Sequence, residues 1–168
     1  MIEDGVRALG LGITTDTKLE ARNLPMELTR VRRNLVVHYG RYEIMPDTDL
    51  VIYDPEDDTV LAVISCKVTL RERIAQTAYW KLKLENDPVT AHIRSLFVTP
   101  DEDGTLVHHV PQDGDARGFK GRIIVEYDTD GAYVLRDIEE SVKVKSFSEF
   151  IPDLGRILDE KRKRAGKA

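Results

Sequence analysis

The sequence predicts an α/β fold in which helices flank a central mixed β-sheet. Three observations lead there. Residues 50–53 and 60–64 are short β-rich apolar runs separated by Asp54-Pro55-Glu56-Asp57-Asp58-Thr59, the composition of a hairpin turn. Leu70, Ile74, Ala78 and Leu82 then recur every four residues with Arg71, Arg73 and Lys81 off that line, the pattern of an amphipathic helix over residues 70–85. Residues 91–98 form a further apolar run. A strand, helix, strand connection within one sheet is a right-handed crossover, which sets this run parallel to the strand that ends at Lys67.

The remaining elements follow from local signals. Asn23-Leu24-Pro25 marks a helix start, and Leu28, Val31, Leu35 and Val36 make a helical stripe, so residues 25–38 are expected as a helix with Gly40 beyond its end. The hairpin occupies residues 42–67. Glu85-Asn86-Asp87-Pro88 stops the second helix, residues 99–104 make a turn, and residues 107–118 a polar loop containing the exposed pair His108-His109. Residues 122–127 and 132–135 flank Asp128-Thr129-Asp130-Gly131, a hairpin signal. Ser146-Phe147-Ser148-Glu149 has capping-box spacing before a last helix, and Lys161-Arg162-Lys163-Arg164 reads as that helix's end or a solvated tail.

Composition narrows the function. With 168 residues, 41% hydrophobic and 33% charged, the chain suits one soluble domain over residues 1–168, with its core at about 20–150 and a basic tail at 161–168. No apolar run approaches the roughly 18 residues of a membrane span, and the N-terminus lacks a basic-then-apolar signal pattern. The expectation is a cytoplasmic protein with no membrane partner. The single cysteine, Cys66, cannot form an internal disulfide. A net charge of −5 argues against a generally basic nucleic-acid coat. Between Lys67 and Lys83, however, Lys67, Arg71, Arg73, Lys81 and Lys83 stand against one acid, Glu72, which suits a protein that meets DNA on a single face.

The hairpin carries the chemistry. Side chains alternate along a strand, so Asp47 and Asp49 share a face, as do Ser65 and Lys67. If the register joins those faces, a carboxylate pair stands beside an ammonium group at the end of a buried strand. That is the arrangement of a metal-dependent phosphodiesterase: carboxylates suit Mg2+, and a lysine can orient an attacking water and offset charge on the phosphate. Asp49, which leads directly into the apolar run, is preferred over the proline-adjacent Asp47. An acidic pair at a strand start is, alone, more often turn chemistry; Lys67 and the residues after it change the weighting.

The run Ser65-Cys66-Lys67-Val68-Thr69-Leu70-Arg71-Glu72-Arg73 resembles a signature of type II restriction endonucleases in the PD-(D/E)XK superfamily. The resemblance points to the group that cuts CCGG-type and interrupted CC/GG sites, such as EcoRII, PspGI, NgoMIV and BsaWI. Ser65 and Lys67 match a Ser-x-Lys variant of the ExK half-motif, and Arg71, Glu72 and Arg73 match a reader cluster at the spacing Lys-x-x-x-Arg-Glu-Arg. It covers residues 43–100 well and the rest loosely. It implies a restriction-endonuclease-like mixed sheet flanked by helices, Mg2+ as cofactor, double-stranded DNA as partner, and a homodimer on a short palindrome with CC/GG half-sites.

By that resemblance Asp49, Asp47, Ser65 and Lys67 are the catalytic residues, with Asp49, Asp47 and the Cys66 carbonyl at the metal. The cluster's chemistry agrees: arginine pairs bidentately with guanine O6 and N7, and a carboxylate accepts from cytosine N4. Gln76 and Thr77 are candidates for DNA-backbone contacts. One departure stands out. The group usually places a further catalytic Glu on the following helix, at positions that here are Trp80 and Lys81. Glu85 lies a turn later, and Glu27, on the helix before the hairpin, is the candidate to supply that acid to catalysis and to the metal. A repair or junction-resolving nuclease of the same fold, or a DNA-binding module with weakened catalysis, are the alternatives.

Overall fold

The computed structural model describes residues 2–71, 73–111 and 116–166. In chain order its elements are α1 (Ile2–Ala8), β1 (Gly12–Thr15), α2 (Asp16–Leu19), α3 (Met26–Arg33), β2 (Val37–Tyr39), β3 (Tyr42–Ile44), β4 (Leu50–Asp54), β5 (Thr59–Cys66), α4 (Ile74–Glu85), β6 (Arg94–Thr99), α5 (Lys120–Asp128), β7 (Gly131–Val134), β8 (Val144–Ser146) and α6 (Phe150–Ala165). Single 3-10 turns lie at Ala116–Phe119 and Phe147–Glu149.

The acidic hairpin forms where its composition places it. Leu50 pairs with Ile64 and Val51 with Val63 in antiparallel register, with an irregularity between Ile52 and Tyr53. Asp58 turns the chain with φ of 60°, a conformation Asp tolerates because its short side chain bonds locally. Two helices lock this turn from outside: Arg30 of α3 bonds the Asp58 carboxylate, and Lys161 of α6 reaches Asp54 at 2.6 Å and Asp57 at 2.7 Å. The basic run at residues 161–164 is therefore the end of a helix.

From this hairpin a six-stranded sheet spreads in the order β1-β4-β5-β6-β7-β8. The β1–β4 and β4–β5 pairs are antiparallel; β5–β6, β6–β7 and β7–β8 are parallel. The sheet is mixed, as expected, and helices cover both faces. On one face Ile52, Ile64, Leu96, Val98 and Tyr133 pack against Val6 of α1 and Phe150, Leu154 and Leu158 of α6. On the other, Val51, Tyr53 and Val63 meet Val31 of α3 and Leu84 of α4, while Phe97, Ala132 and Val134 meet Ile74 of α4 and Val125 of α5. β5 and β6 are buried along nearly their whole length, as parallel strands covered on both faces must be.

Four expectations change. The helix over residues 25–38 is only α3; Asn34 ends it, Leu35 and Val36 of the helical stripe fall in the connection that follows, and Val37 begins a strand of the two-stranded β2–β3 sheet. The helix expected from residue 70 begins at Ile74, leaving Arg71 and Arg73 in the turn ahead of it. Lys81, expected on the solvent face, is buried against Asp130 at 2.7 Å. Residues 120–128 form α5 rather than one arm of a hairpin, and β7 runs parallel to β6. Ile123-Ile124-Val125 favours a strand locally, but a parallel partner for β6 needs a crossover, and packing overrides propensity.

Arg122 shows how α5 is tied in. Its guanidinium is fully buried and donates to Glu126 at 2.7 Å, to the Glu139 carbonyl at 2.8 Å and to the Leu106 carbonyl. Arg122→Ala leaves the buried Leu106 carbonyl and the part-buried Glu139 carbonyl without this donor and is expected to cost about 3 kcal/mol, read as a fall in Tm on the order of 6–10 °C. Arg122→Met, which keeps the stem, should recover part of the loss. A Tm for Arg122→Ala within about 2 °C of wild type contradicts this role.

Candidate active site

The site is built at the end of the β4–β5 pair. Asp49 donates its N–H to the Ile64 carbonyl at 3.0 Å, extending the ladder one residue before β4. Its carboxylate oxygen Oδ2 accepts from the Cys66 N–H at 2.7 Å and from Lys67 Nζ at 2.9 Å. Lys67 in turn donates its N–H to the Val98 carbonyl at 3.2 Å, so its backbone is held by the parallel strand β6. The Asp49 side chain is 40% exposed and that of Lys67 20%, an ion pair open on one side to an incoming ligand.

Between the two acids, Thr48 is buried and its hydroxyl donates to the Ile64 carbonyl at 3.0 Å. It points to the opposite face from its neighbours and pins the segment that carries them. Sequence reasoning passed over it; the signal was a hydroxyl residue midway between two acids of one face.

α4 lies across the same end of the sheet. Gln76 donates its amide N–H to Asp47, and Thr77 donates to the Ser65 hydroxyl at 3.2 Å. Thr77 is 5% exposed, so the expectation of a DNA-backbone contact is corrected: it fastens helix to strand under the site. Gln76 is half-buried, and its amide faces Asp47.

Glu27 is not brought to this group. Its carboxylate accepts from the Tyr53 hydroxyl at 2.7 Å. Tyr53 lies four residues beyond Asp49, roughly 13 Å along the strand. Burial, then this bond to Glu27, pushes the Tyr53 pKa up to about 12. Glu85 pairs with Lys81 at 3.1 Å near the far end of α4 and does not replace it. α3 lies under the hairpin's far half, which the periodicity of either element could not reveal.

Arg71 and Arg73 lie in the turn between Lys67 and α4, both exposed; Glu72 lies outside the described residues. Asp103 fixes this turn from the loop after β6, accepting from the Leu70 N–H at 3.3 Å and the Arg71 N–H at 3.0 Å. Burial pushes the Asp103 pKa up, and the Arg71 and Leu70 amides outweigh it and hold it below the ordinary carboxylate value. Arg71, Arg117 and Lys120 border a cleft of about 550 Å³ beside the turn.

The donor set bears on a cation. Among the described residues no three His, Cys, Asp or Glu side chains form a ready-made cage. Mg2+ does not need one: it keeps several waters and takes one or two carboxylates together with substrate phosphate. Asp49 and Asp47, with the Cys66 carbonyl, fit that requirement. Cys66 is exposed as a residue, yet burial of its thiol, then the Asp49 charge, pushes the pKa up, so the sulfur stays protonated and only the carbonyl suits a hard cation. His108 and the His109 N–H instead engage Glu139, at 3.3 and 2.6 Å.

These elements lie within a recognised family. The family model for BsaWI restriction endonuclease, type 2, matches residues 27–154. The chain belongs to the BsaWI restriction endonuclease family. It is 43% identical over 148 residues to a Methanocaldococcus jannaschii protein provisionally named type II restriction enzyme MjaVIP, covering 86% of this chain and 64% of that protein. It is 44% identical over 94 residues to a Helicobacter pylori protein provisionally named type II restriction enzyme HpyAORF263P, covering 56% of this chain and 49% of that one. This BsaWI-family chain thus spans about half to two thirds of the length of those relatives. Among solved structures, a pre-specific BsaWI–DNA complex shares its fold, with a TM-score of 0.54 over 96% of this chain and 59% of that one at 14% identity.

The Asp103 clamp gives a stability expectation with a defined pH dependence. A carboxylate whose folded pKa is lowered stabilises the fold above its unfolded value of 3.8 and loses that contribution as pH falls through the lower, folded value. Asp103→Ala is expected to cost about 1 kcal/mol at neutral pH, as for other carboxylates that cap a turn. In urea unfolding the gap between variant and wild type should close below pH 3.8. A gap that is unchanged at low pH removes the charge from the explanation.

Proposed function

We propose that this chain is the catalytic and DNA-reading part of a Mg2+-dependent type II restriction endonuclease of the PD-(D/E)XK superfamily, cutting double-stranded DNA at a short palindrome with CC/GG half-sites. The observation that carries the reading is the contact of Lys67 Nζ with Asp49 Oδ2 at 2.9 Å, at the open end of two strands whose interior is buried. A buried register gives the ammonium a fixed place beside a carboxylate, which is what in-line hydrolysis of a phosphodiester needs.

Asp49 and Asp47 would hold Mg2+ with the Cys66 carbonyl, and the ion when bound supplies a polarised phosphate and a more acidic water. The chain's own residues do the rest. Lys67 orients the attacking water and offsets charge on the phosphate oxygens. The Cys66 N–H and Lys67 together hold Asp49 Oδ2, leaving Oδ1 to face a ligand. Ser65, standing where an acid is usual, is neutral and bonded to Thr77, so its part is to seat α4. Arg71 and Arg73, both exposed in the turn that follows Lys67, are the residues we assign to guanine edges, and Glu72, between them in sequence, is assigned to cytosine. A palindromic target is met most simply by two copies, hence a homodimer, and a DNA substrate places the enzyme in the cytoplasm.

A second reading, a DNA-binding module with weakened catalysis, is favoured by the engagement of Glu27 and Glu85 elsewhere.

Incubation with plasmid DNA and Mg2+, followed by mapping of the ends, tests the first reading: discrete fragments with shared end sequences are expected. Lys67→Ala should lower cleavage by about 10³-fold while duplex affinity in Ca2+ stays within about two-fold. Arg71→Ala should lose about 1–3 kcal/mol of discrimination at one G·C position. Binding without cleavage in either Mg2+ or Mn2+ moves the assignment to the second reading, and an unselective smear removes sequence specificity.

A further inference from the structure

Gln76 stands between the arginine turn and the acids of the site. Its carboxamide lies between a residue of the reader turn and an acid of the site: Nε2 donates to Asp47 Oδ2, and Oε1 accepts from Arg73 Nη1 at 3.4 Å. A guanidinium only donates and a carboxylate only accepts, so the amide between them has one possible orientation. The chain of contacts runs Arg73, Gln76, Asp47 in that direction. It is a link between the group assigned to base reading and a group assigned to the cation.

The two acids are held very differently. Asp49 has two donors on one oxygen, both fixed by the sheet. Asp47 is exposed and precedes the first paired residue, and the hydrogen bond the structure gives its side chain comes from Gln76. Thr48 anchors the backbone between them, so the Asp47 carboxylate is free to turn about its own side-chain bonds unless that amide holds it. α4 is meanwhile fastened beneath by Thr77 on Ser65, which makes the helix a rigid base for Gln76.

We propose that Gln76 is a positioning residue that holds Asp47 toward the cation and makes that hold depend on Arg73. This rests on the function proposed above and deepens it. While Arg73 braces Oε1, the amide is aligned on Asp47. When Arg73 turns to a guanine edge the brace is withdrawn, so reading a G·C step and binding the cation share one free-energy term, and each alters the other equally.

The test is a calorimetric titration of the DNA-free full chain with Mn2+, alongside the Mg2+ dependence of plasmid cleavage. Gln76→Ala should weaken Mn2+ binding about ten-fold, the size of effect seen when a group that orients a metal ligand is lost. It should raise the half-saturating Mg2+ by the same factor and leave duplex affinity within about two-fold. Arg73→Ala decides the coupling by its sign. Coulomb's law alone has the loss of a neighbouring cation tighten Mn2+ binding, whereas the loss of a brace weakens it, here by about three-fold. Arg73 is exposed and Gln76 half-buried outside the apolar core, so each variant should keep a Tm within about 2 °C of wild type. Wild-type Mn2+ affinity in Gln76→Ala, or tighter binding in Arg73→Ala, overturns the link even where Asp49→Ala still abolishes binding and the nuclease reading stands. A wild-type chain that binds no Mn2+ overturns both.

Discussion

The register of β4 against β5 is the constraint on which the rest of the molecule depends. Leu50 opposite Ile64 puts Asp49 opposite the end of β5, where it meets the Cys66 amide and the Lys67 ammonium. A slip of one residue would turn every side chain of β4 to the other face, sending Asp49 away from Lys67 and Val51 out of its core. That slip is blocked by burial on both sides: Ile52 and Ile64 belong to the core under α1 and α6, and Val51 and Val63 to the one under α3 and α4. The partly exposed ion pair adds little stability of its own. Its geometry is a by-product of apolar packing several residues away.

From that fixed point the chain runs continuously through the chemistry. Lys67, the arginine turn and the first turn of α4 occupy residues 67–77, and each is tied to a different part of the fold. Val98 holds Lys67, Asp103 holds Leu70 and Arg71, and Ser65 holds Thr77. The exposed Arg71 side chain therefore extends from a backbone that Asp103 holds. On the proposed reading this keeps the entropic cost of recognition in the side chains and prevents the turn from moving independently of the reacting group.

Much of this was legible because it is local. Two β-rich runs around an acidic turn specify a hairpin, and a helix between apolar runs specifies a parallel crossover; β4, β5, α4 and β6 bear these out. What escaped was decided by tertiary packing. The N-terminal strand β1 is only four residues long and exists because β4 offers it an edge. The strand-favouring residues of α5 became helical because the sheet continued in parallel. Glu27 is separated from the site because α3 seats it on Tyr53, and Thr77 was read as a surface residue because its partner, Ser65, lies on another element.

The charge balance at the strand ends gives the neutral residues their meaning. Asp49 is compensated by Lys67, while Asp47 is met by an amide that carries no charge. The pair of acids and one lysine leaves one negative charge in excess on an exposed carboxylate; on the proposed reading that excess attracts a divalent cation, and the bound cation would leave a positive excess for a phosphodiester. A lysine or arginine in place of Gln76 would cancel that excess and remove the attraction. A glutamate there would leave Asp47 without its donor and beside a like charge. Glutamine combines a donor for Asp47, an acceptor for Arg73 and zero charge, so on the proposed reading the amide orients the acid without altering its charge.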